Sequence, residues 1–441
     1  MLIERHAVTL ADAGYNQHSM NTSAAAPERS SLRWTVCALL FFATTINYVD
    51  RQVLSILAKT LETKIGWDSI QYGYITAAFQ AAYAIGLLTA GRLMDRLGTR
   101  KGYGLAITVW SVAAMAHAAA LSAVTFGIAR AFLGLGEAAN FPACIKTVAE
   151  WFPKKERALA TGIFNSGSNI GAVVVPLTVP WLAETYGWQS AFLVTGALGF
   201  LWLIFWLALY HKPEEHPRIS AVELKLIQSD PPDRAASYPW GPLFPKKQTW
   251  AFAIGKALSD PVWWFYLFWL PKYFQETFNL TLTQAIWPLF ALYNLASAGS
   301  IGGGYISSSL IHRGWAVNKA RKTAMFICAL GVVPVLYAPY CKSLWGVVAL
   351  VGLALAAHQG WSANLFTTAS DMFPRSAVGS VVGIGGTLGA MASVILQIAT
   401  GYIVEWTHSY LPLFIFGGCA YLIALAIFHA LSPHLEPAEL D

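Results

Sequence analysis

The sequence predicts an all-α integral membrane protein with twelve transmembrane helices in two pseudo-symmetric six-helix bundles. Three observations predict it: an apolar, charge-poor composition, recurring apolar runs long enough to cross a bilayer, and an echo of the first half of the chain in the second. The 441 residues are 56% hydrophobic and 12% charged, with 18 tryptophans. A soluble domain carries about 25% charged residues.

A bilayer core about 30 Å thick is crossed by about 20 apolar residues in a helix, and runs of that length define the elements in order. Residues 1–32 are polar, rich in Ala, Ser and Asn, and lack an apolar signal-like core, so a disordered cytoplasmic tail is expected rather than a cleaved signal. Spans follow at 33–57, 70–91, 102–122, 124–149, 157–182 and 188–210, giving a first bundle over 33–210. The stretch 211–248 lacks such a run and reads as a linker. Spans at 249–276, 284–310, 320–341, 343–367, 377–404 and 409–431 give a second bundle over 249–431, and 432–441 is a short tail.

Lysines and arginines gather in the loops after the second, fourth and eighth spans: Arg92, Arg96, Arg100 and Lys101; Lys154, Lys155 and Arg157; Arg313, Lys319, Arg321 and Lys322. The opposite loops carry chiefly Lys59, Lys64, Lys272 and Lys342. The positive-inside bias therefore predicts that both termini and the linker are cytoplasmic. The net charge of +6 reflects this asymmetry and gives no reason to invoke nucleic acid. Cys37, Cys144, Cys328, Cys341 and Cys419 have neither metal-ligand spacing nor an evident pairing and read as buried apolar residues. No metal or cofactor is implied.

The echo lies at two cytoplasmic junctions. EWFPKKERALATG from Glu150 resembles DMFPRSAVGSVVG from Asp371, and GRLMDRLGTRK from Gly91 resembles GGYISSSLIHRG from Gly303. The offsets, 371 − 150 = 221 and 303 − 91 = 212, are close enough to imply a duplicated six-helix unit.

Asp50 and Arg51 in NYVDR, and Arg130 and Glu137 in RAFLGLGE, interrupt apolar runs at membrane depth. Such groups cost about 2.5–3.5 kcal/mol on insertion scales and mark functional sites by default. Two acids beside two arginines suggest a carrier coupling protons to an anion. Asp50 and Glu137 are the candidate proton carriers, because burial and a neighbouring arginine push a carboxyl in opposite directions. Arg51 and Arg130 are the candidate carboxylate holders, since a guanidinium offers a planar fork that lysine lacks. Tyr48 and Asn47 share the helix face of Arg51. Arg130 and Glu137, seven residues apart, lie about 10.5 Å apart along the axis, too far to form a salt bridge automatically.

The corresponding second-half positions are uncharged. The second half supplies instead His358, Gln359, Trp361, Ser362 and Asn364 on the tenth span, with Tyr293, Asn294 and Ser297 on the eighth. Amides, hydroxyls and an aromatic face suit a polyhydroxylated ring, as the arginines suit its carboxylate. Tyr83 and Asn165 join this substrate set. Asn165, Ser166, Ser168 and Asn169 suit a cavity lining and helix-to-helix hydrogen bonding equally. His358 can titrate near neutral pH, although a histidine on a crowded helix is more often hydrogen-bonded structure. Lys256 and Asp260, at i and i+4, read as a local ion pair. Lys146 is expected to snorkel to the cytoplasm, and the aromatics of DPVWWFYLFWLPKY to pack and anchor at the interface.

GRLMDRLGTRK resembles the loop signature of the major facilitator superfamily, and RAFLGLGE its fourth-helix motif. The resemblance implies the major facilitator fold and a gating latch at Gly91, Asp95, Arg96 and Arg100, weaker in the second copy, where Asp95 is matched by Ser308. NYVDRQVLS, GEAANFPACIK, ATGIFNSGSNIGA, DPVWWFYLFWLPKYF and HQGWSANLFTTASDMFP together resemble bacterial hexuronate transporters of the anion:cation symporter family. That resemblance implies proton-driven import of galacturonate or glucuronate across the inner membrane by a chain expected to act as a monomer, its partners being the sugar-acid anion, protons and the lipid bilayer. The alternatives are an aldonate such as galactonate, another organic anion, or an anion channel. An intramembrane hydrolase is disfavoured, since Asp50 is the only aspartate well inside the first six spans and no GxSxG occurs.

Overall fold

The structure, a computed structural model, describes residues 31–229 and 239–439. The expected tail over 1–30, residues 230–238 of the linker and the last two residues lie outside the described residues. Among the described residues there are helices and connections but no strand.

Helix α1 (Leu32–Ile65) stops where Gly66 turns left-handed, with φ 84°. Asp68 caps α2 (Ser69–Ala116) through a reciprocal pair: its carboxylate accepts from Gln71 N at 2.7 Å, and its own N–H donates to Gln71 Oε1 at 3.1 Å. This element takes in the second and third expected spans as two helices that part at Gly98, whose φ of 73° and ψ of 158° leave the helical region and favour glycine; the basic residues foreseen between the spans lie on the turns either side of it. The fourth expected span, in contrast, breaks into α3 (Ala123–Glu137) and α4 (Asn140–Trp151). Pro142 has no N–H to donate to the carbonyl of Ala138, so the ladder lapses directly after Glu137.

Then follow α5 (Lys154–Tyr186), α6 (Trp188–Leu209), the short linker helix α7 (Ala221–Ile227), α8 (Lys247–Thr277), α9 (Ile286–His312) and α10 (Val317–Val332). The tenth helix tightens into a 3-10 segment, Val333–Tyr340, where Pro334 and Pro339 enter. The last three are α11 (Leu344–Met372), α12 (Arg375–Thr407) and α13 (Leu411–Leu431). Both α5 and α12 start after a proline with nearly the same backbone angles, φ −62° and ψ 152° at Pro153 and φ −63° and ψ 151° at Pro374. Their offset is 221 residues at both ends, 375 − 154 and 407 − 186, as the sequence echo requires.

Among the described residues eight helices are long and apolar enough to cross a membrane, the segment Ser69–Ala119 being one of them. Absent from these eight are α8, α9 and the broken α3–α4 pair, on which Arg130, Glu137, Lys256 and Asp260 lie. Within the first half α1 packs on α5 and α6, and α2 on α3, α4 and α6. Within the second, α8 packs on α12 and α13, and α11 on α9 and α10. The α9–α11 contact is a backbone contact: a methyl group on Gly303 would lie 2.1 Å from Gly360 Cα.

The halves meet through α1–α8, α2–α12 and α5–α9. The polar contacts between them gather at the end where α1 finishes and α2 begins. Lys272 Nζ reaches Glu62 Oε2 at 2.8 Å and Ser69 Oγ at 2.9 Å. Lys59 pairs with Glu276 at 3.3 Å, and Tyr72 OH donates to Phe268 O at 2.6 Å. The basic residues Arg92, Arg96 and Arg100 lie around the Gly98 bend of α2, beginning about 35 Å away along its first helical stretch. There the ion pairs join neighbours on the same side of the chain, Lys146–Asp95 at 2.6 Å and Arg321–Asp371 at 3.1 Å.

Candidate functional site

One face of α1 carries Asn47, Tyr48 and Arg51, as helical spacing requires. Arg51 is 2% exposed, and its Nε donates to Glu137 Oε2 of α3 at 2.7 Å. Its Nη2 donates to Asn47 Oδ1 at 3.0 Å. The guanidinium also lies against four aromatic rings: Tyr48 at 4.7 Å, Tyr83 at 5.0 Å, Trp264 at 5.2 Å and Phe79 at 5.3 Å. Trp264 belongs to α8, so the second half of the chain touches the first half's buried cation directly.

Arg130, fully buried on α3, donates from Nη2 to the carbonyl of Arg51 at 2.7 Å and packs on Phe79 and Phe268. Its Nε and Nη1 have no partner. The pairing is thus between Arg51 and Glu137, not within either sequence-adjacent pair. Asp50 points away from Arg51 with both oxygens unpartnered and 1% exposure. One oxygen of Glu137 is also free. A buried polar group without a partner costs about 1–3 kcal/mol, so this cluster of open donors and acceptors is poised to take a ligand or a proton.

The second-half set divides. His358 takes part in a 2.5 Å hydrogen bond between Nδ1 and Tyr421 OH and stacks on Trp263 at 5.1 Å, which is the structural role weighed for it. Asn364 donates from its amide to Gly303 O across the α9–α11 contact and to Gly360 O within α11, both at 2.9 Å, while its Oδ1 has no partner. Trp361 is likewise fully buried, edge-on to Tyr421 at 5.5 Å. Gln359 and Ser362 remain half-buried. Asn165 and Ser166 are exposed on α5, and the hydroxyls of Ser166 and Ser168 bond within their own helix, so they make no helix-to-helix link.

The four residues of the gating loop differ in their surroundings. Gly91 has open space around it, and Gly98 carries the bend. Asp95 faces Lys146 Nζ, which therefore forms an ion pair rather than snorkelling free. Arg96 is exposed, while Arg100 donates to Leu207 O at the end of α6. In the second copy Arg321 links Asp371 to Ser307 Oγ, and Ser308 contributes only its carbonyl, to His312. Cys341 and Cys419 are half-buried, whereas the other three cysteines are buried.

Sequence reasoning missed Phe79, Trp263, Trp264 and Phe268 as parts of the site, having assigned the α8 aromatics to packing and interface. The available signal was the i, i+4 pair Trp264–Phe268 on a helix interrupted by Pro261 and Pro271.

A family model described as the Major Facilitator Superfamily matches residues 40–396. The chain is 32% identical to the hexuronate transporter of Escherichia coli (strain K12) over 395 residues, which is 87% of this chain and 90% of that one. It is 31% identical to the probable galactarate/D-glucarate transporter of Bacillus subtilis (strain 168) over 418 residues, 91% of this chain and 92% of that one. Among solved structures the fold matches a D-xylose-proton symporter with a TM-score of 0.74 at 14% identity, covering 93% of this chain and all of the other. By fold and by sequence, this chain belongs to the major facilitator superfamily of membrane transporters.

Proposed function

We propose that the protein is a proton-coupled symporter that imports a sugar acid, a hexuronate such as galacturonate or glucuronate, by alternating access. In this reading the chain crosses the inner membrane twelve times, with its termini and basic loops in the cytoplasm. The observation that carries it is the 2.7 Å contact between Arg51 and Glu137. A substrate carboxylate and Glu137 compete for one guanidinium, so protonating the acid frees the arginine for the substrate. Binding and protonation then promote one another, as linkage requires.

Arg130, with two donors open, is the second holder of the carboxylate. Asp50, buried and unpartnered, is the second proton carrier. The hydroxylated ring lies toward α8 and α11, where Trp264, Gln359 and Ser362 offer an aromatic face and polar groups. With the basic loops inside, the sealed end faces outward, so this is an inward-directed arrangement. Two protons per monoanion move one net charge, worth about 2.3 kcal/mol per 100 mV, or roughly forty-fold accumulation.

The test is uptake of labelled galacturonate into vesicles under an imposed pH gradient, with competition by a panel of sugar acids. Saturable, gradient-dependent uptake blocked best by hexuronates is expected. Gradient-independent flux that does not saturate would indicate a channel.

A further inference from the structure

Three basic side chains meet where α10 begins and α13 ends. Both helices belong to segments able to cross a membrane, Val317–Tyr340 and Leu411–Leu431. Lys319 and Lys322 lie in the first two turns of α10, and His429 lies in the last turn of α13. Together with Asn318, Phe326 and Leu425 they line a cavity of about 400 Å³, and among the described residues no carboxylate lines it.

Charge is left over here. At the same end of the molecule Lys146 is matched by Asp95 and Arg321 by Asp371. Lys322 Nζ donates instead to the carbonyls of Ser432 and Pro433, both at 2.6 Å, and to His429 Nδ1 at 3.1 Å. Three neutral acceptors fix the ammonium in place without cancelling its charge. Because an ammonium can only donate, His429 Nδ1 accepts, and the ring proton sits on Nε2 as a further donor. Lys319 Nζ rests 4.6 Å from the Trp315 ring, and among the described residues neither lysine has an acidic partner.

Beside the cations the cavity runs into an apolar stripe. Lys322, Phe326 and Leu330 share one face of α10 at i, i+4 and i+8. Phe326 and Leu330 are each 47% exposed, although α10 packs on α9, α11 and α13. On α13, Leu425 comes one turn before His429. At roughly 30 Å³ per water-sized group the cavity holds about a dozen such groups, more than inorganic phosphate supplies. A ligand that fills it brings an anionic head for the lysines and an apolar portion for Phe326 and Leu425.

We propose that this cavity binds the phosphodiester of an anionic phospholipid, such as phosphatidylglycerol, with an acyl chain lying along Phe326 and Leu330. The lipid belongs to the leaflet on the side of the basic loops. Its phosphate takes Lys319, Lys322 and His429 Nε2, and so ties the start of α10 to the end of α13. Phosphatidylcholine carries the same phosphodiester but brings an ammonium of its own toward the two lysines, which disfavours it. The site shares no residue with the Arg51 cluster, so it stands whichever sugar acid is carried.

The experiment is native mass spectrometry of the purified full-length protein in detergent, titrated with phosphatidylglycerol, phosphatidylcholine or inorganic phosphate. Wild type binds phosphatidylglycerol more tightly than phosphatidylcholine. A lysine beside an anionic headgroup contributes about fivefold in affinity. Lys319→Gln therefore weakens phosphatidylglycerol about fivefold without changing phosphatidylcholine, and Lys319→Gln with Lys322→Gln weakens it about 25-fold. Lys319 makes no hydrogen bond among the described residues, so its replacement is informative even where loss of Lys322 disturbs the fold. Thr323→Glu, which places an acid on the cavity wall, abolishes the preference as well. Lys101→Gln, an exposed charge on the stretch of α2 after Gly98, retains it. Unchanged phosphatidylglycerol affinity in Lys319→Gln and Thr323→Glu, or an equal loss in Lys101→Gln, overturns the proposal. Displacement of the lipid by equimolar inorganic phosphate marks a small-anion site and overturns it too.

Discussion

Arg51 on α1 and Glu137 on α3 meet at 2.7 Å, each almost wholly buried, although neither is the other's neighbour in sequence. Breaking a buried pair by removing one partner costs about 3–5 kcal/mol, because the remaining charge is left uncompensated. Arg51 therefore cannot release Glu137 into nothing. In the proposed symport a substrate carboxylate takes the place of the acid, and the acid leaves as a neutral group. Coupling in that proposal follows from pair exchange, without a separate sensor.

Replacing Arg51 with Lys keeps the charge but removes the fork, and with it either the Glu137 or the Asn47 contact. Sugar-acid affinity should fall about tenfold or more, with a comparable loss for Arg130→Lys. Calorimetry on purified, monodisperse protein checks this, and unchanged affinity in both variants would refute the assignment.

Trp264 brings the second half of the chain onto the Arg51 guanidinium. A desolvated cation–π contact is worth about 2 kcal/mol, so Trp264→Ala should weaken binding by about tenfold or more while Trp264→Phe retains most of it. Equal affinity of Trp264→Ala and the wild type would reduce the contact to packing.

Polar residues of α11 should separate into two groups. Changing Gln359 or Ser362 to Ala should alter the ranking of uronates, aldonates and diacids, since an unpaired hydroxyl or amide costs about 1–3 kcal/mol. Asn364→Ala, which deletes one hydrogen bond across the α9–α11 contact and one within α11, should instead lower the thermal unfolding temperature and leave that ranking intact. Ranking in competition uptake, set beside unfolding curves, distinguishes the two.

The twelve apolar runs fall on helices because bilayer thickness dictates length and composition, and both can be read from a single chain. The repeat was legible for the same reason: Pro153 and Pro374 start equivalent helices. The second and third expected spans part at Gly98, and the one boundary the sequence reading missed came from a residue whose effect is local, Pro142, which splits the fourth span. In the site, Arg51, Arg130, Asp50 and Glu137 stood out because charge at membrane depth is costly. Their pairing did not, since i, i+7 spacing says nothing about which helix lies opposite. Trp264 and Asn364 were not placed by sequence alone, because an aromatic or an amide has the same periodicity whether it faces a ligand or a neighbouring helix.

Lys272 is buried where the halves meet, within reach of Glu62, Glu276 and Ser69. Replacing it with Gln leaves Glu62 and Glu276 only the more exposed Lys59, so the end where the halves are joined should open more often. Labelling of a cysteine placed at Ser69 by a membrane-impermeant maleimide from outside should rise severalfold over the same cysteine in an otherwise unaltered chain. An unchanged labelling rate would mean that the cluster does not hold the end shut.

The central claim is that Glu137 carries a coupling proton by trading places with substrate on Arg51. Its most direct test is Glu137→Gln in reconstituted vesicles, with uphill galacturonate uptake under an inward proton gradient measured beside gradient-free counterflow exchange, and Asp50→Asn run in parallel. The account predicts that both variants lose accumulation, while Glu137→Gln, mimicking the protonated acid, still binds and exchanges substrate. Full proton-driven accumulation by Glu137→Gln would contradict it.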